Sequence, residues 1–97
     1  MKPIVFHPEA VQEYLAALRH YTAIQPELGL RFDQENQRLV NEIKRDPARF
    51  FHFESSTQRA LDIGFPYSIV YLKQPDRIWI IAVIHAKRRP GYWRDRF

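Results

Sequence analysis

The sequence predicts a small α+β domain in the order β-α-α-β-β-β, with a mainly antiparallel sheet packed against a two-helix hairpin. Three observations carry that prediction. Two amphipathic stretches each open on a proline followed by an acid, the pattern changes to period two after Pro47, and Ile78 to Ile84 form seven consecutive apolar residues. Strand one is expected over residues 3–6, because Ile4, Val5 and Phe6 are apolar and Pro8 biases His7 towards extended backbone. Pro8 and Glu9 then open a helix over residues 8–21, proline suiting the first helical turn and the acid its positive end. Val11, Leu15, Leu18 and Tyr21, with Tyr14 alongside, share one stripe, while Gln12, Glu13 and Arg19 lie away from it. Residues 22–25 form a short connection. Pro26 and Glu27 open a second helix, which places Leu28, Phe32, Leu39, Val40 and Ile43 on a common face and ends at Asp46-Pro47. Gly29 lies in its first turn, at a cost of about 1 kcal/mol relative to alanine. A connection this short makes the two helices an antiparallel hairpin.

Phe51 to Phe53 can open a strand, residues 54–58 read as a loop, and Arg59 to Ile63 alternate with Leu61 and Ile63 on one face. Gly64-Phe65-Pro66 turns the chain. Tyr67, Ile69 and Tyr71 alternate with Ser68, Val70 and Leu72 up to a second turn at residues 73–76. The strand from Ile78 to His85 is apolar on both sides, so it is expected at the centre of the sheet, with the helical hairpin packed on one face.

Composition narrows the function classes. A chain of 97 residues with 45% hydrophobic and 14% aromatic residues and only 3 glycines reads as one packed domain over residues 1–97, not as a disordered segment. The absence of cysteine excludes disulfides, thiolate metal sites and cysteine nucleophiles. The longest apolar run is far short of the roughly 20 residues a membrane helix needs, and no basic-then-apolar signal opens the sequence, so a cytoplasmic protein is expected. His7, His20 and His52 fall on different elements without acidic neighbours at metal spacing, and neither a metal nor a cofactor is implied.

The net charge of +4 is unevenly distributed. Residues 1–84 carry ten basic and ten acidic side chains, so the whole excess lies in residues 85–97, where five basic side chains face Asp95 alone. A basic end of this kind attracts phosphate or an acidic protein surface. Lys87, Arg88 and Arg89 precede Pro90-Gly91, and Tyr92 and Arg94 follow, which makes these five residues the candidate target-binding set. Trp93 and Phe97 are expected to fold back over the core while the arginines stay in water. His85, with Arg88 and Tyr92 nearby, has the composition of an acid–base site. The plainer reading of His85 sets its ring against Trp79 or Tyr92 with one nitrogen bonded to backbone. Arg59 and Glu54 are weaker candidates: Glu54 has the chemistry of a base, but a loop glutamate reads as solvated, and Phe51, Phe53, Phe65, Tyr71 and Trp79 read as core.

The tract Gly64-Phe65-Pro66-Tyr67-Ser68-Ile69-Val70-Tyr71, followed by Ile80 to His85 and by Arg88-Arg89-Pro90-Gly91-Tyr92-Trp93, resembles the RelE/ParE superfamily of toxins from type II toxin-antitoxin modules, and within it the ParE-like branch. The resemblance covers nearly the whole chain and implies the fold derived above. It also implies a cognate antitoxin with an acidic C-terminal segment as partner and DNA gyrase as target, inhibited by protein contact without a catalytic residue. The RelE-like alternative is a metal-independent, ribosome-dependent endoribonuclease that cuts messenger RNA, for which His85, Arg88 and Tyr92 are the candidate catalytic residues. The nuclease branch commonly places an arginine after the position of Tyr67, where it would stabilise the developing phosphate charge. This sequence has Ser68 there, which counts against cleavage.

Overall fold

The computed structural model describes residues 1–97. Strand β1 (Ile4–Phe6) leads into helices α1 (Pro8–Ile24) and α2 (Pro26–Arg45), and strands β2 (Phe51–His52), β3 (Thr57–Leu61), β4 (Tyr67–Lys73) and β5 (Ile78–His85) follow, before a final 3-10 turn at Arg94–Arg96. The sheet order is β1-β5-β4-β3-β2. All neighbours are antiparallel except β1, which runs parallel to β5 with Ile4 opposite Ile78 and Phe6 opposite Ile80. The expected order therefore holds, with the short β2 hydrogen-bonded to β3 at one edge.

The hairpin is tighter than its sequence suggests. Helix α1 continues to Ile24, so Gln25 is the only residue between the helices. Gly29 explains how they approach so closely, because a Cβ at that position would collide with the Thr22 side chain and come within 3.0 Å of the Thr22 backbone. Each helix begins on its proline, and the His7 Nδ1 caps α1 by accepting from the Glu9 N–H at 3.0 Å. The helices cover one face of the sheet, where Ala10, Leu39 and Ile43 meet Ala60, Ile69, Tyr71, Ile78, Ile80 and Val83. At the end of this layer Phe32, Phe65 and Ala17 form a second group, which Tyr14, Leu18, Tyr21 and Tyr67 enclose.

Val70, Leu72, Ile81 and Ala82 point to the opposite face, where Trp93 covers them. Trp93 folds back as expected, 1% exposed, with its ring 5.9 Å from that of Phe53, whereas Phe97, whose ring lies 6.2 Å from that of Trp93, does not cap the core and is 45% exposed. The expectation that the Ile78 strand is central needs correction: β5 is interior, between β1 and β4, but β4 occupies the middle of the five because the short β2 adds a strand beyond β3.

Four expectations about apolar positions need correction. Leu61 ends β3 and Ile63 lies beyond it, and both are exposed, because β3 starts earlier than expected and buries Thr57, Gln58 and Ala60 instead. Phe51 is 75% exposed on a two-residue edge strand that no second layer covers. Val11 is at the margin of α1, whose fully buried positions are Ala10 and Ala17. Phe53 and Trp79 are half-buried at the borders of the second face.

Candidate functional site

The site is built around the end of β5 that β1 leaves unpaired. The last contact between the two strands is the His7 N–H to the Ile80 carbonyl at 2.8 Å, and beyond it the outer edge of β5 has no strand beside it. A β-bulge lies at this point. Tyr71 pairs with Ile80 but Val70 pairs with Ala82, so Ile81 is an extra residue on β5. The bulge changes the parity of the side chains: Ile78 and Ile80 face the helices, Ile81 and Ala82 both face away, and Val83 faces the helices again. His85 therefore comes to the helix side, its ring perpendicular to that of Tyr67 at 5.0 Å. This corrects the expectation that it would rest on Trp79 or Tyr92.

Two charged side chains take the place of the missing strand. Glu13 on α1 accepts from the Val83 N–H at 3.0 Å, and Arg96 donates to the Ile81 carbonyl at 3.0 Å. The same two side chains form a bidentate ion pair, both contacts being 2.9 Å. Glu13 also accepts from the Tyr92 hydroxyl. Burial opposes ionisation of Glu13, but the Arg96 guanidinium, the Tyr92 hydroxyl and the Val83 N–H outweigh it and hold the carboxyl below its ordinary range. For Tyr92, burial first and the Glu13 carboxylate second push the phenol well above its ordinary value. Its hydroxyl therefore stays protonated and donating.

Two cations lie against the Tyr92 ring. The Arg88 guanidinium lies 3.9 Å from the ring centroid and that of Arg96 lies 5.2 Å away. Arg96 is almost buried, with 7% of its side chain exposed, whereas Arg88 is exposed and pairs with no carboxylate. His85 is fixed by the turn that follows it, its Nδ1 accepting from the Lys87 N–H at 3.0 Å while its carbonyl accepts from the Arg88 N–H at 3.0 Å. An Nδ1 that accepts leaves the ring proton on Nε2. His85, Arg88, Tyr92 and Arg96 line a cavity of about 560 Å³ together with Tyr67, Val83 and the α1 residues Glu9, Gln12, Glu13, Ala16 and Ala17.

The five residues of the expected target-binding set separate into two groups. Lys87, Arg88 and Arg89 project from the turn after β5 and are exposed. Tyr92 is half-buried and bonded to Glu13, and Arg94 is held by Glu54 with one contact at 2.9 Å. Gly91 permits this return with φ of 73°, a left-handed conformation that suits glycine, and a Cβ there would meet the Arg94 guanidinium. The expectation that every arginine of the basic end stays in water fails at Arg96, because the Glu13 carboxylate on α1 and the Ile81 carbonyl on β5 offer it partners away from solvent, with the exposed Glu9 carboxylate 3.6 Å away as well. Glu54 likewise has a partner in Arg94. Glu13 was missed by reading large apolar residues for the helix stripe. The signal that locates it is the run Ala10, Glu13, Ala17, in which two small residues at helical spacing flank the acid on the side that meets the sheet.

On the other face, Ser68 is buried and its hydroxyl accepts from the Arg59 Nε at 3.1 Å. Arg59 also lies over the Phe53 ring at 5.1 Å.

A family model described as the ParE toxin of the type II toxin-antitoxin system, parDE, matches residues 4–90. The chain belongs to the ParE toxin family. A solved structure described as the chromosomal ParDE TA system from P. aeruginosa has the same fold, with a TM-score of 0.79 over 90% of this chain and 98% of that one at 16% sequence identity. A search of curated protein sequences gives no significant match. The matched region of this ParE-family toxin takes in the bulge, His85 and the exposed turn at Lys87, Arg88 and Arg89, and stops before Tyr92 and Arg96. No helix of the chain is long and apolar enough to cross a membrane.

Proposed function

We propose that this ParE-family toxin acts in the cytoplasm by binding DNA gyrase through the basic turn and inhibiting it by contact, and that a cognate antitoxin with an acidic segment neutralises it. The observation that carries the gyrase reading is the state of position 68. The nuclease branch commonly places an arginine there to meet phosphate, and here Ser68 is buried and engaged by Arg59 on a face that Trp93 and its neighbours close. Lys87, Arg88 and Arg89, with Tyr92 beneath them and Arg94 beside them, supply the target-binding surface.

The nuclease reading has one observation in its favour, the presence of His85, Arg88 and Tyr92 on one cavity. Two features weigh against it. The Tyr92 hydroxyl is committed to Glu13 and its raised pKa makes it a poor proton donor to a leaving group, and Arg96 is bound to Glu13, which leaves Arg88 as the one unpaired guanidinium of the cavity for the several charges of a phosphorane. The test is a pair of assays with purified toxin, one of gyrase supercoiling and one of cleavage of ribosome-bound message. Loss of supercoiling with intact message supports contact inhibition, and cut message with unaffected gyrase overturns it. Added antitoxin should restore supercoiling and raise the melting temperature of the toxin, since a ligand bound only by the native state stabilises it.

A further inference from the structure

We propose that the cavity between α1 and the end of β5 is a receptor for a single carboxylate side chain from an acidic protein segment, with Arg88 and His85 as its polar contacts. This deepens the proposed protein-contact function and rests on it. Arg88 is the free cation of the cavity: Arg96 is already bound to Glu13, whereas Arg88 has a tyrosine ring on one side and no carboxylate on any other. A cation held on an aromatic face keeps its N–H groups available in a fixed direction, which lowers the ordering cost of receiving an anion. His85 adds a second donor, because its Nδ1 is taken by the Lys87 N–H and its proton is on Nε2.

The walls select the rest of the ligand. Ala16, Ala17 and Val83 present only methyl groups to the cavity, and the two alanines of α1 create the space a longer side chain would fill. An acidic side chain has the matching form, an apolar stem ending in one charge. A nucleic acid does not match, because its backbone carries a charge at every nucleotide and the cavity has one unpaired cation, Arg96 being held by Glu13 and Glu9. The committed occupant is therefore a glutamate or aspartate of a partner protein.

The test is amide and imidazole chemical-shift mapping of the isotope-labelled toxin with three probes: a blocked tetrapeptide containing one glutamate, its glutamine counterpart, and oligothymidylate. The glutamate peptide should give saturable shifts confined to Tyr67, Val83, His85, Arg88 and Tyr92, with the glutamine peptide bound about tenfold more weakly, as expected for loss of one charge-assisted contact. Arg88→Gln should weaken the glutamate peptide by a similar factor, and Ala16→Leu, which fills the cavity without changing charge, should abolish the shifts while the rest of the spectrum is preserved. The proposal is overturned by the absence of saturable shifts at these residues, by equal binding of the two peptides, or by oligothymidylate shifting the same residues at lower concentration. Failure of the peptide with gyrase inhibition intact removes the receptor and leaves the proposed function standing, whereas binding of the peptide without inhibition of gyrase does the reverse.

Discussion

One face of the sheet lies under two helices of 17 and 20 residues, and the other lies under the segment that follows His85. Under the helices the contacts are two apolar groups that draw on both helices and on the sheet, so no single residue carries the association. The second cover has too little regular structure to spread the work in that way. It is fastened at two points, by Trp93 inserted among Val70, Leu72, Ile81 and Ala82 and by Arg96 bound to Glu13. A short segment can thus be both a layer of the core and the carrier of the exposed basic turn, provided its anchors and its exposed cations are different residues.

The strongest test of this comparison is Trp93→Ala. Removing a large side chain that is 1% exposed should cost about 3–5 kcal/mol in chemical denaturation. A loss below about 1 kcal/mol, which is ordinary for surface positions, would show that the second cover contributes nothing to folding.

Next in size is the buried ion pair. Glu13→Ala leaves Arg96 with the Ile81 carbonyl and a looser contact to the exposed Glu9, and leaves the Val83 N–H and Tyr92 hydroxyl without their acceptor, and should cost about 3 kcal/mol. The double change Glu13→Leu with Arg96→Met should recover most of that loss, since apolar replacement of both members removes the unpaired charge. If the double variant is as unstable as the single one, the pair serves by its hydrogen bonds to β5 and not by mutual neutralisation.

The pair also sets the acid limb of stability. The folded carboxyl of Glu13 lies below its ordinary value of 4.5, so the unfolded chain binds a proton first as pH falls. Its stabilising contribution is complete above that value and is lost as pH drops through the lower, folded one. Tyr92 gives the opposite sign at the alkaline end, where a phenol with a raised folded pKa loses its contribution as pH rises beyond about 10. Melting temperatures of the parent and of Glu13→Gln across the acid range check this, the expectation being a flatter acid limb in the variant.

Much of this arrangement was legible in the residues because hydrophobic period and proline placement are local signals. The two helix starts, the turns at Gly64-Phe65-Pro66 and residues 73–76, and the return of Trp93 follow from them. What was not legible depends on contacts between distant segments. Nothing near Gly29 announces the close crossing with Thr22, and only the fold supplies a reason for glycine there. The bulge at Ile81 is hidden in a uniformly apolar run, where a change of parity leaves no trace in the pattern, yet it decides which face receives His85. Glu13 and Arg96 are separated by most of the chain and each has the look of a solvated residue in its own neighbourhood. Their pairing comes from the unpaired edge that β1 leaves on β5.

The smallest expected change in stability belongs to the exposed turn. Arg88 and Arg89 lie outside both anchors, and the contact of Arg88 with the Tyr92 ring is a surface cation–π contact. Such contacts contribute about 0.5–1 kcal/mol at exposed sites, and a glutamine retains part of the stacking area. Arg88→Gln and Arg89→Gln, alone or together, should therefore leave stability within about 1 kcal/mol of the parent, which for a chain of this length is a melting shift of a few degrees. Growth inhibition in cells should fall, because the two cations belong to the surface proposed to meet the target. The contrast with Trp93→Ala makes the result readable: a loss of toxicity at unchanged melting temperature assigns these arginines to recognition, and unchanged toxicity leaves them as solvated charge. Should toxicity and melting temperature fall together, Arg88 acts through Tyr92 as a third anchor, and the division between fastening residues and recognising residues would have to be redrawn to place it with Trp93 and Arg96.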